Sequence, residues 1–130
     1  MQDITDKEDI KLIVDTFYAK AKSDDLLAPI FNEAIDDQEW NKHVERIYSF
    51  WNTVMFKKMD YLGNPFSHHM NLPIYERHFD KWLEILEQVV FANFKGEKAQ
   101  ELIDRAHRMS DMFQLKLAAN RSNPNSRPIL

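Results

Sequence analysis

Glycine is scarce in this chain, and the scarcity limits the folds open to it. Only Gly63 and Gly96 occur in 130 residues, and none of the five prolines lies inside a long periodic segment. Hairpins between β-strands depend on glycine, because their turns need positive φ angles. A chain of this length forms one domain with a sizeable hydrophobic core. The sequence therefore predicts a single all-α domain.

Two long helices are predicted in the first half of the chain. "TDKE", residues 5–8, has the pattern of a capping box, in which Thr5 caps the helix and Glu8 reaches back to it. This helix should end near residues 23–24, before "LLAPIF", a short apolar turn that Pro29 breaks. Asp36 and Asp37 can cap the second helix. Apolar residues recur at helical spacing in both helices: Ile10, Ile13, Val14, Phe17 and Ala21, then Trp40, Val44, Ile47, Phe50 or Trp51, and Val54.

Two more long helices are predicted in the second half. "FKGE", residues 94–97, separates them as a turn with Gly96 as a C-cap. From Asn120 the chain is polar and contains proline, which predicts a domain over residues 1–119 and a disordered tail over 120–130. Four helices pack either as a bundle or as two crossed pairs. The apolar stripes of the second half are Phe79, Trp82, Leu83, Leu86, Val89 and Val90, then Leu102, Ala106, Met109, Phe113 and Leu117.

Composition excludes several classes of protein. The chain has no cysteine, so a disulfide framework, a thiolate metal site and a thiol nucleophile are all excluded. The net charge is −4, and Lys57-Lys58 is the only basic cluster, which argues against binding to nucleic acid. No apolar run approaches the roughly 20 residues that cross a bilayer, and the acidic start does not resemble a signal peptide. We therefore expect no membrane association and a cytoplasmic location.

A long connection between the second and third predicted long helices holds two adjacent histidines. It runs as "MDYLGNPFSHHMNLP" from Met59 to Pro73, and a connection of this length inside a compact domain is usually functional. The chain contains no Glu-x-x-His, no His-Glu-x-x-His, no phosphate-binding glycine loop and no serine in a nucleophile elbow. A metal cofactor held by a single histidine in an apolar pocket remains, and haem meets that description.

Three segments resemble the truncated haemoglobins. They are "LIVDTFYAKAKSDDLLAPIF" over residues 12–31, "EWNKHVERIYSFW" over 39–51, and "HMNLP" followed by "HFDKWL". The resemblance covers roughly residues 5–118, with the order and spacing of the family. It looks most like group III of that family, which lacks the glycine pairs of the other groups and has a histidine on the distal helix, here His43. The resemblance implies a globin-like, truncated two-over-two helical sandwich that binds haem b.

The resemblance also implies roles for individual residues. His69, shortly before Leu72-Pro73, matches the proximal ligand of the iron, and His68 would face solvent or a haem propionate. Tyr18 and Trp82 match distal residues that donate hydrogen bonds to the bound ligand. His43 matches the distal-helix position, where gating, hydrogen bonding and iron ligation all remain open; an exposed histidine next to Lys42 and Glu45 is the alternative.

The predicted cofactor wall is mostly apolar. Phe31 matches an aromatic residue that packs on the haem ring, and Ile47 shares a helical face with His43. Arg77 and His78 either reach the propionates or belong to a solvated helix start, and His107 is expected to be a surface or core-edge residue without a special role. Weaker wall candidates, for which ordinary core packing is the alternative, are Phe50, Trp51, Phe66, Met70, Tyr75 and Leu86.

The implied function is reversible binding of dioxygen and of other diatomic ligands such as NO and CO. The dense set of distal donors suggests slow release of dioxygen, which suits redox chemistry or scavenging better than delivery. Nitric oxide dioxygenation or peroxidase-like turnover at the same haem is an alternative, and it would need an external reductase. A globin-fold interaction or sensory module without haem is a third reading.

Overall fold

The computed structural model describes residues 1–57 and 72–122. Within these ranges the chain forms five α-helices and one 3₁₀ turn, and no β-strand. The all-α prediction is therefore confirmed. The helices are α1 (Lys7–Ala21), α2 (Ala28–Ala34), α3 (Trp40–Phe56), α4 (Glu76–Asn93) and α5 (Glu97–Ser122), and the 3₁₀ turn Asp37–Glu39 precedes α3.

The start of α1 differs from the predicted capping box. Asp6 is the N-cap, and its carboxylate accepts hydrogen bonds from the backbone N–H groups of Glu8 and Asp9. A charged acceptor also interacts favourably with the positive end of the helix dipole. The Thr5 backbone N–H donates to the Asp9 carboxylate at 2.8 Å, so Asp9 reaches back rather than Glu8. The assignment of the cap to Thr5 was wrong by one residue.

Pro29 begins a helix instead of breaking a turn. It lies in the first turn of α2, where its missing N–H would have no intrahelical partner in any case. Asp24 stabilises the turn before this helix, because its carboxylate accepts hydrogen bonds from the backbone N–H groups of Leu26 and Leu27, both at 3.0 Å. The predicted apolar turn is therefore a short helix that contributes to the cavity described below.

The predicted caps of the second long helix are also corrected. Neither Asp36 nor Asp37 caps α3 through its side chain; Asp37 begins the 3₁₀ turn, and Glu39 precedes the helix without a side-chain bond. Lys57 ends α3 in the left-handed conformation, with φ of 57°.

The turn between α4 and α5 is tied to the N-terminal segment. Phe94 is the C-cap of α4, not Gly96, which instead precedes α5 with φ of +144°. The Asp3 carboxylate accepts from the backbone N–H groups of Lys98 at 2.8 Å and Ala99 at 2.9 Å, so it caps α5. A Cβ on Gly96 would lie 2.5 Å from Cγ of Asp3. This close approach requires glycine.

The helices pack as two linked pairs. α1 packs on α3, α4 packs on α5, and α1 also packs on α4, which joins the pairs. The predicted stripes of α1 and α5 are buried except for the half-buried Met109, and in α4 Trp82 and Leu83 are half-buried. The stripe of α3 differs, because only Trp51 of its predicted residues is fully buried. α5 continues to Ser122, three residues beyond the predicted domain boundary, and residues 123–130 lie outside the described ranges.

Candidate functional site

A cavity of about 660 Å³ lies between the two helix pairs. Its size falls within the ~300–1,000 Å³ typical of sites for small molecules and cofactors. Every helix contributes to its wall, and so does the extended segment before α4. The side chains that line it are mainly apolar and include Val14, Phe17, Leu27, Ile30, Phe31, Ile47, Phe50, Trp51, Leu72, Ile74, Phe79, Trp82, Leu86, Met109 and Phe113.

A hydrogen bond joins two polar side chains in this apolar wall. The Tyr18 hydroxyl on α1 lies 2.8 Å from Nε2 of His43 on α3. Tyr18 is only 8% exposed, and its burial raises the pKa of the phenol well above the ordinary value of 10.0, so the hydroxyl keeps its proton. The structure therefore brings together two residues that lie 25 positions apart and that the family resemblance assigns to the distal side.

Two proton arrangements satisfy this geometry. When Nε2 of His43 has no proton, Tyr18 donates its hydroxyl proton to the imidazole. When Nε2 carries the proton, His43 donates to the Tyr18 oxygen, and the hydroxyl proton is available to an acceptor in the cavity. The tautomer of His43 thus decides whether Tyr18 can donate into the cavity.

Aromatic side chains fix the ring of Tyr18. It packs edge-on against Phe17 with centroids 5.2 Å apart, Phe31 at 5.6 Å and Trp40 at 5.2 Å. Trp40 also lies 5.5 Å from His43, and the ammonium of Lys22 lies 3.9 Å from the centroid of the Trp40 ring. Such edge-to-face contacts favour one ring orientation, so the hydroxyl oxygen has a defined position.

Six of the predicted site residues meet at this cavity. Besides Tyr18 and His43, the structure places Phe31, Ile47, Phe50 and Trp82 in its wall. Trp82 lies 6.2 Å from Phe17, with the two rings edge to face. Trp51 and Leu86, the weaker candidates, line it as well. The roles of these residues toward a cofactor or ligand remain predictions.

Tyr75 and Arg77 are placed differently. Neither is among the lining residues, and the Tyr75 side chain is 45% exposed. The guanidinium carbon of Arg121 lies 4.2 Å from the centroid of the Tyr75 ring, and that of Arg77 lies 5.4 Å from it. The predicted contact between Tyr75 and the cofactor therefore receives no support from this cavity.

His78 is buried at the start of α4, and the solvated alternative proposed for it was wrong. It is 6% exposed and lines the cavity, while its Nδ1 accepts the backbone N–H of Tyr75 at 3.0 Å. Burial lowers the pKa of His78, and the positive charges of Arg77 and Arg121 lower it further against the opposing effect of the Tyr75 hydrogen bond. The neutral ring that results carries its proton on Nε2.

Several predicted residues fall outside the described ranges. These are His68 and His69, together with Phe66 and Met70 of the predicted wall. Leu72 and Ile74, which follow this stretch in the sequence, line the cavity. His107 lies on the surface, as expected, where its Nε2 contacts the Glu87 carboxylate at 2.6 Å. No cluster of three or more potential metal ligands occurs in residues 1–57 and 72–122.

Sequence reasoning missed part of the wall. Arg46 lines the cavity while remaining exposed. Its position three residues after His43, on the same side of the helix, was the signal that identifies it. Phe79, Met109 and Phe113 were assigned only to helix stripes, yet they too face the cavity.

The lining fits the haem group that the resemblance implied. The apolar wall suits a porphyrin ring, and the exposed Arg46 guanidinium suits a carboxylate at the cavity edge. When Nε2 of His43 carries the proton, the Tyr18–His43 pair offers the Tyr18 hydroxyl as a donor inside the cavity. No helix in the described part of the chain is long and apolar enough to span a membrane.

Comparisons with known proteins agree with this geometry. The family described as bacterial-like globin matches residues 2–117. The chain is 32% identical over 111 residues to group 3 truncated hemoglobin ctb of Campylobacter jejuni, a match that covers 83% of this chain and 87% of that protein. The crystal structure of group III truncated hemoglobin from Campylobacter jejuni aligns with a TM-score of 0.80 at 31% identity, covering 90% of this chain and 95% of the other. The predicted two-over-two globin fold is thereby confirmed, and the chain belongs to the bacterial-like globin family as a truncated haemoglobin resembling group III.

Proposed function

We propose that this chain binds haem b in the cavity through His69 and takes up dioxygen there, along with NO and CO. Membership of the globin family implies haem and diatomic gas ligands in general. The observation that carries the finer proposal is the 2.8 Å contact between Tyr18 and His43 in the wall of a mainly apolar cavity. Such a pair suits a small polar ligand.

The hydroxyl of Tyr18 is the main donor to that ligand. Haem iron, when bound, supplies the electron density that turns a diatomic ligand into a hydrogen-bond acceptor. Tyr18 stays protonated because its burial raises the pKa of the phenol. With the proton of His43 on Nε2, the imidazole donates to the Tyr18 oxygen and directs the hydroxyl proton into the cavity.

Trp82 is the second donor in this proposal. Its indole N–H donates and cannot accept, and the side chain lies in the cavity wall. The remaining aromatic side chains keep water away from the donors, and a hydrogen bond is electrostatically stronger in such a medium than in water. We therefore expect slow release of dioxygen.

An absorption spectrum of the haem-reconstituted protein tests the proposal. The wild type should show a strong Soret band, His69→Ala should lose it, and His68→Ala should keep it. Loss of the band in His68→Ala alone would move the ligand by one position. A colourless wild type would favour the haem-free interaction or sensory module instead.

Enzymatic turnover at the same haem is the second candidate. The close spacing of Tyr18 and His43, with Trp82 in the same wall, favours it because strong donors retain dioxygen for reaction. Nitric oxide dioxygenation or peroxidase-like turnover would then depend on an external reductase. Sustained consumption of NO or peroxide with a reductase present, and its absence in Tyr18→Phe, distinguishes turnover from simple binding.

A further inference from the structure

Trp40, at the start of α3, contacts both members of the Tyr18–His43 pair. The centroid of its ring lies 5.2 Å from that of Tyr18 and 5.5 Å from that of His43. The indole meets the Tyr18 ring edge to face, with the two planes 84° apart, and it is tilted by 42° to the imidazole. Trp40 is half-buried and is not among the residues that line the cavity. One side chain outside the cavity wall thus packs against both polar residues of the wall.

A groove of about 470 Å³ lies between α1 and α3, on the outer side of these contacts. Trp40 lines this groove, and among the described residues Tyr18 alone lines both the groove and the cavity. His43 lines the cavity only. Since Trp40 contacts His43 and faces the groove, the indole lies between the imidazole and the groove.

Two further side chains hold the indole in this place. The ammonium of Lys22, the C-cap residue of α1, lies 3.9 Å from the centroid of the Trp40 ring. A cation at this distance is attracted to the face of an indole. Phe31 of α2 packs against the same ring edge to face, with centroids 6.0 Å apart. Contacts from α1 and α2 therefore restrict the movement of a side chain that belongs to α3.

We propose that Trp40 is a positioning residue, which holds His43 in contact with the Tyr18 hydroxyl, and that Lys22 keeps the indole in place. The ring of His43 is half-buried and can change rotamer about its side-chain bonds. The indole occupies the space through which such a rotation would carry the imidazole toward the groove. The functional consequence rests on the proposed function, because donation by Tyr18 into the cavity depends on His43 remaining its partner.

Three variants and a matched control isolate this role. Trp40→Ala removes the ring, while Trp40→Phe keeps an aromatic contact and should rescue part of the effect. Lys22→Gln removes only the cation. The control is Lys11→Gln, because the Lys11 ammonium lies 5.9 Å from the centroid of the Tyr48 ring in the same groove, and neither of these two residues lines the cavity.

Two measurements on the haem-loaded ferrous protein with bound CO report on the pair. Long-range proton–nitrogen correlation NMR should show His43 as one tautomer in the wild type, since its Nε2 has a fixed partner, and as a mixture in Trp40→Ala. The infrared C–O stretch should gain a second band, from molecules in which His43 has left Tyr18. Relative to the first band it should grow roughly tenfold in Trp40→Ala, which loses two aromatic contacts, and two- to fivefold in Lys22→Gln. Lys11→Gln should match the wild type.

The other outcomes each overturn a stated part of the proposal. An unchanged tautomer and unchanged C–O bands in Trp40→Ala would overturn the positioning role. If that variant does not fold, wild-type spectra for both Trp40→Phe and Lys22→Gln would overturn it instead. Equal changes in Lys22→Gln and Lys11→Gln would assign the effect of Lys22 to the charge of the groove. A wild type that binds no haem refutes the proposed function, and the correlation spectra of the haem-free chains then decide whether Trp40 fixes the tautomer of His43.

Discussion

Replacing Tyr18 by phenylalanine removes one hydroxyl group and almost nothing else. The lost interaction is the 2.8 Å hydrogen bond to Nε2 of His43. The aromatic contacts of the ring, at centroid distances of 5.2–5.6 Å, depend on its shape and should persist. Tyr18→Phe therefore tests the donor without dismantling the wall of the cavity.

The expected effect on dioxygen release follows from the strength of one hydrogen bond. A hydrogen bond to a partly charged acceptor in a buried site contributes about 1.5–3 kcal/mol. Since about 1.4 kcal/mol corresponds to a factor of ten, release should become roughly 10- to 100-fold faster. His43 and Trp82 remain in the wall and can donate in place of Tyr18, which favours the lower end of this range.

Displacement of dioxygen by CO in a stopped-flow instrument measures the release rate. Tyr48→Phe is the matched control, because the Tyr48 hydroxyl donates to the Asp15 carboxylate and the residue lies outside the lining of the cavity. CO release should change far less than dioxygen release, since CO is the weaker acceptor. A dioxygen release rate in Tyr18→Phe within about twofold of that in Tyr48→Phe would refute the reasoning, given the strength of such bonds.

Three further predictions concern stability. Gly96→Ala should lower the free energy of unfolding by about 2–4 kcal/mol in urea denaturation, because φ of +144° and the nearby Asp3 side chain both exclude a Cβ; a loss below ~1 kcal/mol contradicts this. Asp3→Ala should cost about 1–2 kcal/mol at neutral pH. Burial disfavours the Asp3 carboxylate, but three backbone N–H groups outweigh it and lower the pKa, so this contribution is present above pH 3.8 and is lost as the pH falls through the folded-state value. Because the pKa of His78 is lowered in the folded apoprotein, the imidazole is protonated at a higher pH in the unfolded chain than in the folded one. The free energy of unfolding should therefore decline as the pH falls below 6.5, and His78→Gln should flatten that decline.

The helices were predictable where their stripes pack against other helices. Periodicity identified all four long helices, α1, α3, α4 and α5, and most apolar residues of the α1, α4 and α5 stripes are buried between elements. Local sequence patterns did not predict the N-caps and C-caps of these helices correctly. Thr5 and Asp6 are both residue types that commonly cap helices. In the structure Asp6 is the N-cap, and the Asp9 carboxylate accepts a hydrogen bond from the Thr5 backbone N–H. Pro29 is compatible both with the interruption of a helix and with the first turn of a new one. In the structure it lies in the first turn of α2.

The site was predictable only in part. Resemblance identified Tyr18 and His43 separately, but their direct hydrogen bond depends on how α1 and α3 pack, which no local pattern encodes. The contacts of Arg121 were missed for a related reason. The polar, proline-containing end of the chain predicted disorder from residue 120, while the Arg121 guanidinium donates to the backbone carbonyls of Ile74 and Leu72, which lie 47 and 49 positions earlier. The composition of a short segment carries no information about contacts with residues so distant in the sequence.

The burial of α3 links the fold to the cavity. α1, α4 and α5 bury most of their stripes against one another, whereas Val44, Ile47 and Phe50 of α3 are only half-buried. Ile47 and Phe50 face the cavity, so they gain apolar contacts from whatever fills it. At roughly 25 cal/mol per Å² of apolar surface removed from water, a ring packed on these side chains would stabilise the packing of α3. His43 lies on that helix, and the same packing therefore also holds the partner of Tyr18 in place.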